Sequence, residues 1–323
     1  MGRRLDLKVG FGCNNNCIFC AQAHKRNLGD RSTEEIKKDL KSALEDGCTE
    51  VVFTGGEPTI REDIFELVSY ARDLGYELIQ IQTNGRMFYY KKFVQKIIKS
   101  GATEFAPALH GHNAEIHESQ TRAPESFKQT LIGIKNLKEF GQYVVTNSVI
   151  TKINYKTLPQ LARLLIDLKV NQFQLAFVHP CGNAEKNFDA IVPRKTDIMP
   201  FVHKALDLAT NAGYKPGQVM IEAFPFCFMQ GYENFCSELY IPKAEVRDPV
   251  MVIKNFEEWR VSQGKEKFSQ CKNCKFELVC EGPWKEYPEK FGVDEFVPIK
   301  GEKIKDVQNL KLLEFKRVDL LDS

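Results

Sequence analysis

The chain has 323 residues, 45 of them basic and 43 acidic, for a formal net charge of +2 at pH 7. That near balance supplies no global field to recruit a nucleic acid or an anionic membrane, and a composition 43% apolar and 27% charged is that of a water-soluble globular protein. No apolar run approaches the roughly 18 residues of a membrane span, and the opening MGRRLDLKVGFG lacks the apolar core of a signal peptide, so a cytoplasmic protein is expected.

Residues 5–11, LDLKVGF, are predicted as a strand, and CNNNCIFC follows at once, placing Cys13, Cys17 and Cys20 in the loop at its end. Ser32 with Glu35 three residues on is the capping-box start of a helix through residue 47. EVVFTGG then reads as strand and DIFELVSYARDLG as helix, LIQIQTNG as strand and YKKFVQKIIKSG as helix, TEFAPALHG as strand and SFKQTLIGIKNLKEFG as helix. VVTNSVIT, TLPQLARLLIDLKV, FQLAFVHP and a helix through FVHKALDLATNAG complete the alternation. Six strands alternating with helices that end near glycines predict right-handed βαβ units wound in parallel. The expected fold is α/β, a partial (β/α)6 TIM-like barrel over residues 1–215.

In such folds chemistry gathers at the C-terminal strand ends. There stand GFGCNNNC, TGGEPT, QTNG, LHGH, TNSV and VHPCGN, in strand order. After residue 215 the alternation stops. Residues 216–298 read as a smaller cysteine-bearing module, and 299–323 as a tail whose apolar spacing fits helix or strand.

Ten cysteines in a reducing compartment point to metal rather than disulfides. Three lie near the start and five near the end, at Cys227, Cys236, Cys271, Cys274 and Cys280. Cys48 and Cys181 stand alone and read as small buried hydrophobes. His110 and His112 invite a metal reading as H-x-H, but their loop lies where substrate or cofactor belongs, so both read as polar lining and His117 as an ordinary helix residue.

The C-x3-C-x2-C spacing, with Phe19 just before the third cysteine, resembles the motif of radical S-adenosylmethionine enzymes. Gly55-Gly56-Glu57-Pro58 looks like that superfamily's GGEP motif and Thr83-Asn84-Gly85 its turn after the third strand. The resemblance covers at least residues 5–180. It implies a [4Fe-4S] cluster held by Cys13, Cys17 and Cys20, with the fourth iron left for the amino and carboxylate groups of S-adenosylmethionine. An electron passed to the sulfonium would release a 5′-deoxyadenosyl radical that takes a substrate hydrogen. By the same resemblance Phe19 would pack near the adenine. Gly55, Gly56, Glu57 and Pro58 would meet the methionine part, and Thr83, Asn84 and His110 would line the cavity. Asn147 would, by the same resemblance, contact the ribose or adenine. Ala108 stands where many relatives carry a serine, which puts that contact in doubt.

Cys271, Cys274 and Cys280, spaced C-x2-C-x5-C, resemble the auxiliary-cluster extension called SPASM, or Twitch when shortened. Cys227 and Cys236 resemble its upstream half. Trp284 stands where a further cysteine of the full pattern would fall. One auxiliary [4Fe-4S] cluster is the economical count, on Cys227, Cys271, Cys274 and Cys280 with Cys236 able to replace one, and a zinc ribbon fits the spacing too. Such a cluster could relay an electron, anchor substrate or stabilise the module.

The expected function is abstraction of a hydrogen from a small molecule or peptide, with a reducing partner such as flavodoxin or ferredoxin. Only twelve residues precede Cys13, which tilts the expectation toward a small molecule or a peptide recognised without an N-terminal recognition domain. A radical methyltransferase and a non-catalytic iron–sulfur carrier or zinc-stabilised binding protein are the alternatives.

Overall fold

The structure is a computed structural model that describes residues 2–311. The tail expected from residue 299 is described as far as residue 311, with one helical turn at Gln308–Lys311, and the remainder lies outside the described residues. The expected alternation is present: β1 (Arg3–Lys8), α1 (Thr33–Glu45), β2 (Cys48–Thr54), α2 (Ile64–Leu74), β3 (Leu78–Thr83), α3 (Lys91–Ser100) and β4 (Glu104–Pro107). α4 (Ala114–Thr121), α5 (Ser126–Glu139), β5 (Tyr143–Ile150), α6 (Leu158–Asp167) and β6 (Gln172–Phe177) follow. α7 (Asn183–Lys186) and α8 (Phe188–Ile191) are single turns before the long α9 (Lys195–Asn211). Neighbouring strands from β1 to β6 pair in parallel. Among the described residues no helix is long and apolar enough to cross a membrane.

Local chemistry explains the elements. Ser32 and Glu35 close the expected capping box, each side chain accepting from the other's backbone N–H. Leu5, Leu7, Val51, Phe53, Ile79 and Ile81 are buried on one side of their strands. Alternation puts Arg4, Asp6, Lys8, Glu50, Gln80 and Glu104 on the other, concave side. There Arg4 pairs with Glu50 at 2.8 Å, Lys8 with Asp6 at 2.8 Å, and Gln80 donates to Glu104. The concave face of this partial barrel is therefore polar, with its buried groups in pairs.

The sheet does not end near residue 215. β7 (Val219–Glu222) pairs in parallel with β6, and β8 (Ala244–Arg247) pairs in parallel with β1 at the opposite edge. β9 (Val252–Ile253) closes that edge antiparallel, giving the order β7-β6-β5-β4-β3-β2-β1-β8-β9. Four-residue strands in an aromatic-rich stretch carry too little periodicity to be read from sequence. β8 is fixed by charge: Arg247, 4% exposed, pairs with Glu245 at 2.5 Å, with Asp46 at 2.8 Å and with Asp39 at 3.2 Å, the two aspartates belonging to α1 and its end.

A buried polar knot lies behind β4 and β5. His110 donates its N–H to His117 Nδ1 at 3.1 Å and accepts from Val149 N–H at its own Nδ1, 3.2 Å. Gln120 and Asn154 donate to the His110 carbonyl at 2.8 and 2.9 Å. Both imidazoles thus accept at Nδ1 and are neutral. Burial drives the His117 pKa down to about 4 and that of His110 well below its ordinary value, with His117 adding to the latter. His117 is more than the ordinary helix residue expected, and His110 is turned into the core.

Two outcomes follow for stability. Arg247→Met leaves Glu245 buried without its closest cation and is expected to cost roughly 3–5 kcal/mol in urea unfolding of the iron-free protein, whereas a loss under 1 kcal/mol would mean β8 is held by other forces. As pH falls below 6.5 the unfolded chain takes up protons that folded His117 refuses, so its contribution is complete above 6.5 and lost toward pH 4, roughly 3 kcal/mol in all. Stability of the wild type should therefore fall more steeply over that window than that of His117→Gln; parallel curves would contradict it.

Candidate functional site

The loop from Gly12 to Ala21 leaves β1 at its C-terminal end, and the fold grips it on every side. Asn16 and Ile18 donate their N–H groups to the carbonyls of Thr121 and Gln120 at the end of α4, at 2.9 and 2.8 Å. From the loop after β6, Asn183 donates its side chain to the Cys17 carbonyl at 2.9 Å and its N–H to the Cys20 carbonyl at 3.0 Å. Asn187 reaches the Ile18 carbonyl at 3.4 Å. Arg26 donates to the Asn15 carbonyl at 2.7 Å and Arg86 to the Asn14 carbonyl at 2.6 Å. Residues from four strand ends and one helix thus hold three half-buried thiols in one place.

The GGEP segment is part of this grip. Gly56 N–H donates to the Gly10 carbonyl at 2.8 Å and Glu57 N–H to the Gly12 carbonyl at 2.7 Å. A Cβ on Gly56 would stand 2.1 Å from the Gly12 oxygen, and one on Gly55 2.3 Å from the Gly10 oxygen, so both positions require glycine. These glycines bring the backbone of the β2 loop against residues 10–12, where the cysteine loop begins. Pro58, buried, starts a short 3₁₀ turn, Pro58–Ile60. Glu57 is 3% exposed and accepts from Thr59 N–H at 3.0 Å, Thr83 Oγ1 at 2.6 Å and Asn84 N–H at 2.6 Å, and from Thr59 Oγ1. Burial pushes its pKa up and those four donors pull it back. Its carboxylate is engaged in tying the β2 loop to the end of β3.

Thr83 at the end of β3, Ala108 just past β4 and Asn147 midway along β5 come side by side: Ala108 N–H donates to the Thr83 carbonyl at 2.9 Å, and Ala108 and Asn147 form a parallel bridge. Asn84 donates its amide to Asn14 Oδ1 at 2.6 Å. Asn147 Oδ1 is buried with no hydrogen-bond partner among the described residues. Phe19, 8% exposed, packs edge-on against the His110 ring at 4.7 Å between centroids, so the structure gives both rings a packing role within the loop's support.

Burial and the neighbouring Cys20 and Cys13 push the Cys17 thiol up to about 12, and burial raises Cys13. Three thiolates at this spot therefore need bound cationic charge, which is the chemistry of an iron centre. Cys181 also sits here, its thiol 3.9 Å from the Ala21 carbonyl and pushed up to about 12 by burial, so it belongs to the surroundings of the loop rather than to a separate core. Cys48, on β2, is fully buried.

In the second group Cys227, Cys271, Cys274 and Cys280 line one cavity, together with Phe268, Phe276 and Phe296, holding about 400 Å³ of space not filled by protein, part of it open to solvent. Phe268 N–H points at the Cys271 sulfur and Ile299 N–H at the Cys274 sulfur, each at 3.4 Å. Cys236 is 1% exposed, bridges to Ile221 beside β7 and does not line the cavity. Below the cavity Lys265, 5% exposed, joins Glu238 and Glu281 at 2.8 Å each, and Arg260 holds Glu281 from the other side. Among the described residues no three histidine, cysteine, aspartate or glutamate side chains converge tightly enough to hold a single metal ion. Arg26, Arg86, Asn183 and Asn187 were not legible in the sequence: each is a lone polar residue far from the cysteines along the chain, and no motif marks it.

Similarity to known proteins agrees with this geometry. Residues 7–165 match the Radical SAM superfamily. The chain is 28% identical over 193 residues to the AdoMet-dependent heme synthase of Methanosarcina barkeri, covering 59% of this chain and 54% of that protein. It is 32% identical over 188 residues to the probable GTP 3′,8-cyclase of Saccharolobus solfataricus, covering 56% and 59%. The chain thus spans about half the length of curated relatives such as these. Its fold is similar to that of Streptococcus suis SuiB bound to S-adenosylmethionine, with TM-score 0.63, 18% identity and coverage of 84% of this chain and 70% of that one. It is also similar to anSMEcpe with bound AdoMet and a peptide, with TM-score 0.54, 19% identity and coverage of 65% and 60%. The matched segment contains the three-cysteine loop, GGEP and the strand ends that hold them, and the chain belongs to the radical SAM superfamily.

Proposed function

We propose that the chain is an S-adenosylmethionine-dependent radical enzyme that removes a hydrogen from a small molecule or peptide, with a [4Fe-4S] cluster on Cys13, Cys17 and Cys20. The observation that carries this reading is the three-thiol loop, clamped in place by hydrogen bonds and one ligand short of a closed site. When bound, the cluster supplies one electron to S-adenosylmethionine, whose carbon–sulfur bond breaks to give a 5′-deoxyadenosyl radical. The protein's own work is to hold and orient. Asn147 supplies an acceptor for the nucleoside, and the Thr83 and Ala108 strand ends form the floor beside it. The paired charges of the concave face leave the substrate a polar chamber without a strong net field.

The cavity ringed by four thiols supports one auxiliary [4Fe-4S] cluster on Cys227, Cys271, Cys274 and Cys280. A ring around a cavity suits a multi-iron group better than a single zinc ion, and two N–H groups aimed at sulfur are a common environment for such clusters. Flavodoxin or ferredoxin is the class of reductant this chemistry calls for. SuiB has been crystallised with its precursor peptide SuiA, which keeps a peptide in view as substrate here.

Anaerobic reconstitution with iron and sulfide should load about eight irons per chain, and dithionite with S-adenosylmethionine should then release 5′-deoxyadenosine. A loaded protein that releases none, with candidate substrates present, would contradict the radical reading, and S-adenosylhomocysteine among the products would mark methyl transfer instead. Cys236→Ala should keep about eight irons while Cys271→Ala falls to about four. The reverse pattern would move the auxiliary ligand set to Cys236.

A further inference from the structure

Arg31, Arg61, Arg247 and Arg260 pair with carboxylates. Arg26 and Arg86 pair with none among the described residues, and both direct their guanidinium groups onto the cysteine loop. They meet at Asn15, which is 5% exposed. Arg26 donates to the Asn15 carbonyl at 2.7 Å and to Asn16 Oδ1 at 3.3 Å. Arg86 donates to Asn15 Oδ1 at 3.0 Å and to the Asn14 carbonyl at 2.6 Å, and Gln129 Oε1 braces it at 2.6 Å. Held from both sides, Asn15 donates its N–H to the Cys13 sulfur at 3.4 Å.

We propose that Arg26 and Arg86 are positioning residues that raise the reduction potential of the cluster on Cys13, Cys17 and Cys20, by fixing the Asn15 N–H on the Cys13 sulfur and by placing two uncompensated cations beside it. The inference rests on the cluster assignment made above. Reduction adds one electron, here from dithionite, and one negative charge to a centre already carrying three thiolates; no bond breaks. Nearby positive charge and N–H donors to sulfur stabilise the more negative state more than the less negative one, which is how net charge and hydrogen bonding tune such potentials. Glu57, whose N–H is bonded to the Gly12 carbonyl, brings a carboxylate to the same neighbourhood, and four donors engage it.

The test is a potentiometric titration of the reconstituted protein, followed by the paramagnetic signal that responds to added S-adenosylmethionine, in the wild type and in R26Q, R86Q, R26K and R86K. Each Gln variant should show a reduced-to-oxidised ratio about tenfold smaller at a fixed poise, a midpoint about 59 mV lower for one electron. The Lys variants keep the charge and should recover most of that difference. Failure of a Gln variant to load iron, with loading restored in the matching Lys variant, also supports the role of charge. Unchanged midpoints in the Gln variants, or Lys variants as impaired as Gln, overturn the proposal while leaving the cluster in place. Absence of any responsive signal in the wild type overturns both the proposal and the cluster reading.

Discussion

Three thiols brought together on one short loop repel as they ionise and lose solvation as they are buried, so the loop that carries them cannot hold its own shape. Everything around it answers that constraint. The β2 loop closes on it through the Gly56 and Glu57 N–H groups, α4 offers its last carbonyls to Asn16 and Ile18, and Asn183 and Asn187 reach down from the β6 loop. Two arginines add positive charge at Asn15. The parallel sheet matters because it delivers all of these from strand ends that face the same way.

The second thiol group is built on another plan. Its four cysteines line a cavity with three phenylalanines, and the Lys265–Glu238–Glu281–Arg260 network lies outside that lining. The charged residues that do line it are Lys267 and Glu277. Four thiols share that cavity, whereas the first loop carries three thiols at the C-terminal end of β1.

Much of this was legible in the sequence because its signals are local. Cysteine spacing, the Ser32–Glu35 capping box and the strand-helix alternation each need only a window of a dozen residues. Gly55 and Gly56 stand out in the sequence as part of a motif, but the backbone they approach, at Gly10 and Gly12, lies more than forty residues away and emerged only in three dimensions. Arg26, Arg86, Asn183 and His117 act through individual hydrogen bonds outside their own elements, for which periodicity has no signature. β7 and β8 escaped for a related reason: a four-residue strand is defined by its neighbours, and the neighbour of β8 is the first strand of the chain.

The account turns on one iron left open to S-adenosylmethionine. The most direct measurement is the electron paramagnetic resonance spectrum of the dithionite-reduced, iron-loaded protein, recorded with and without S-adenosylmethionine. Ligation at the open iron predicts a changed signal on addition, and loss of that change in Cys17→Ala. A spectrum indifferent to S-adenosylmethionine in the loaded wild type would contradict the account.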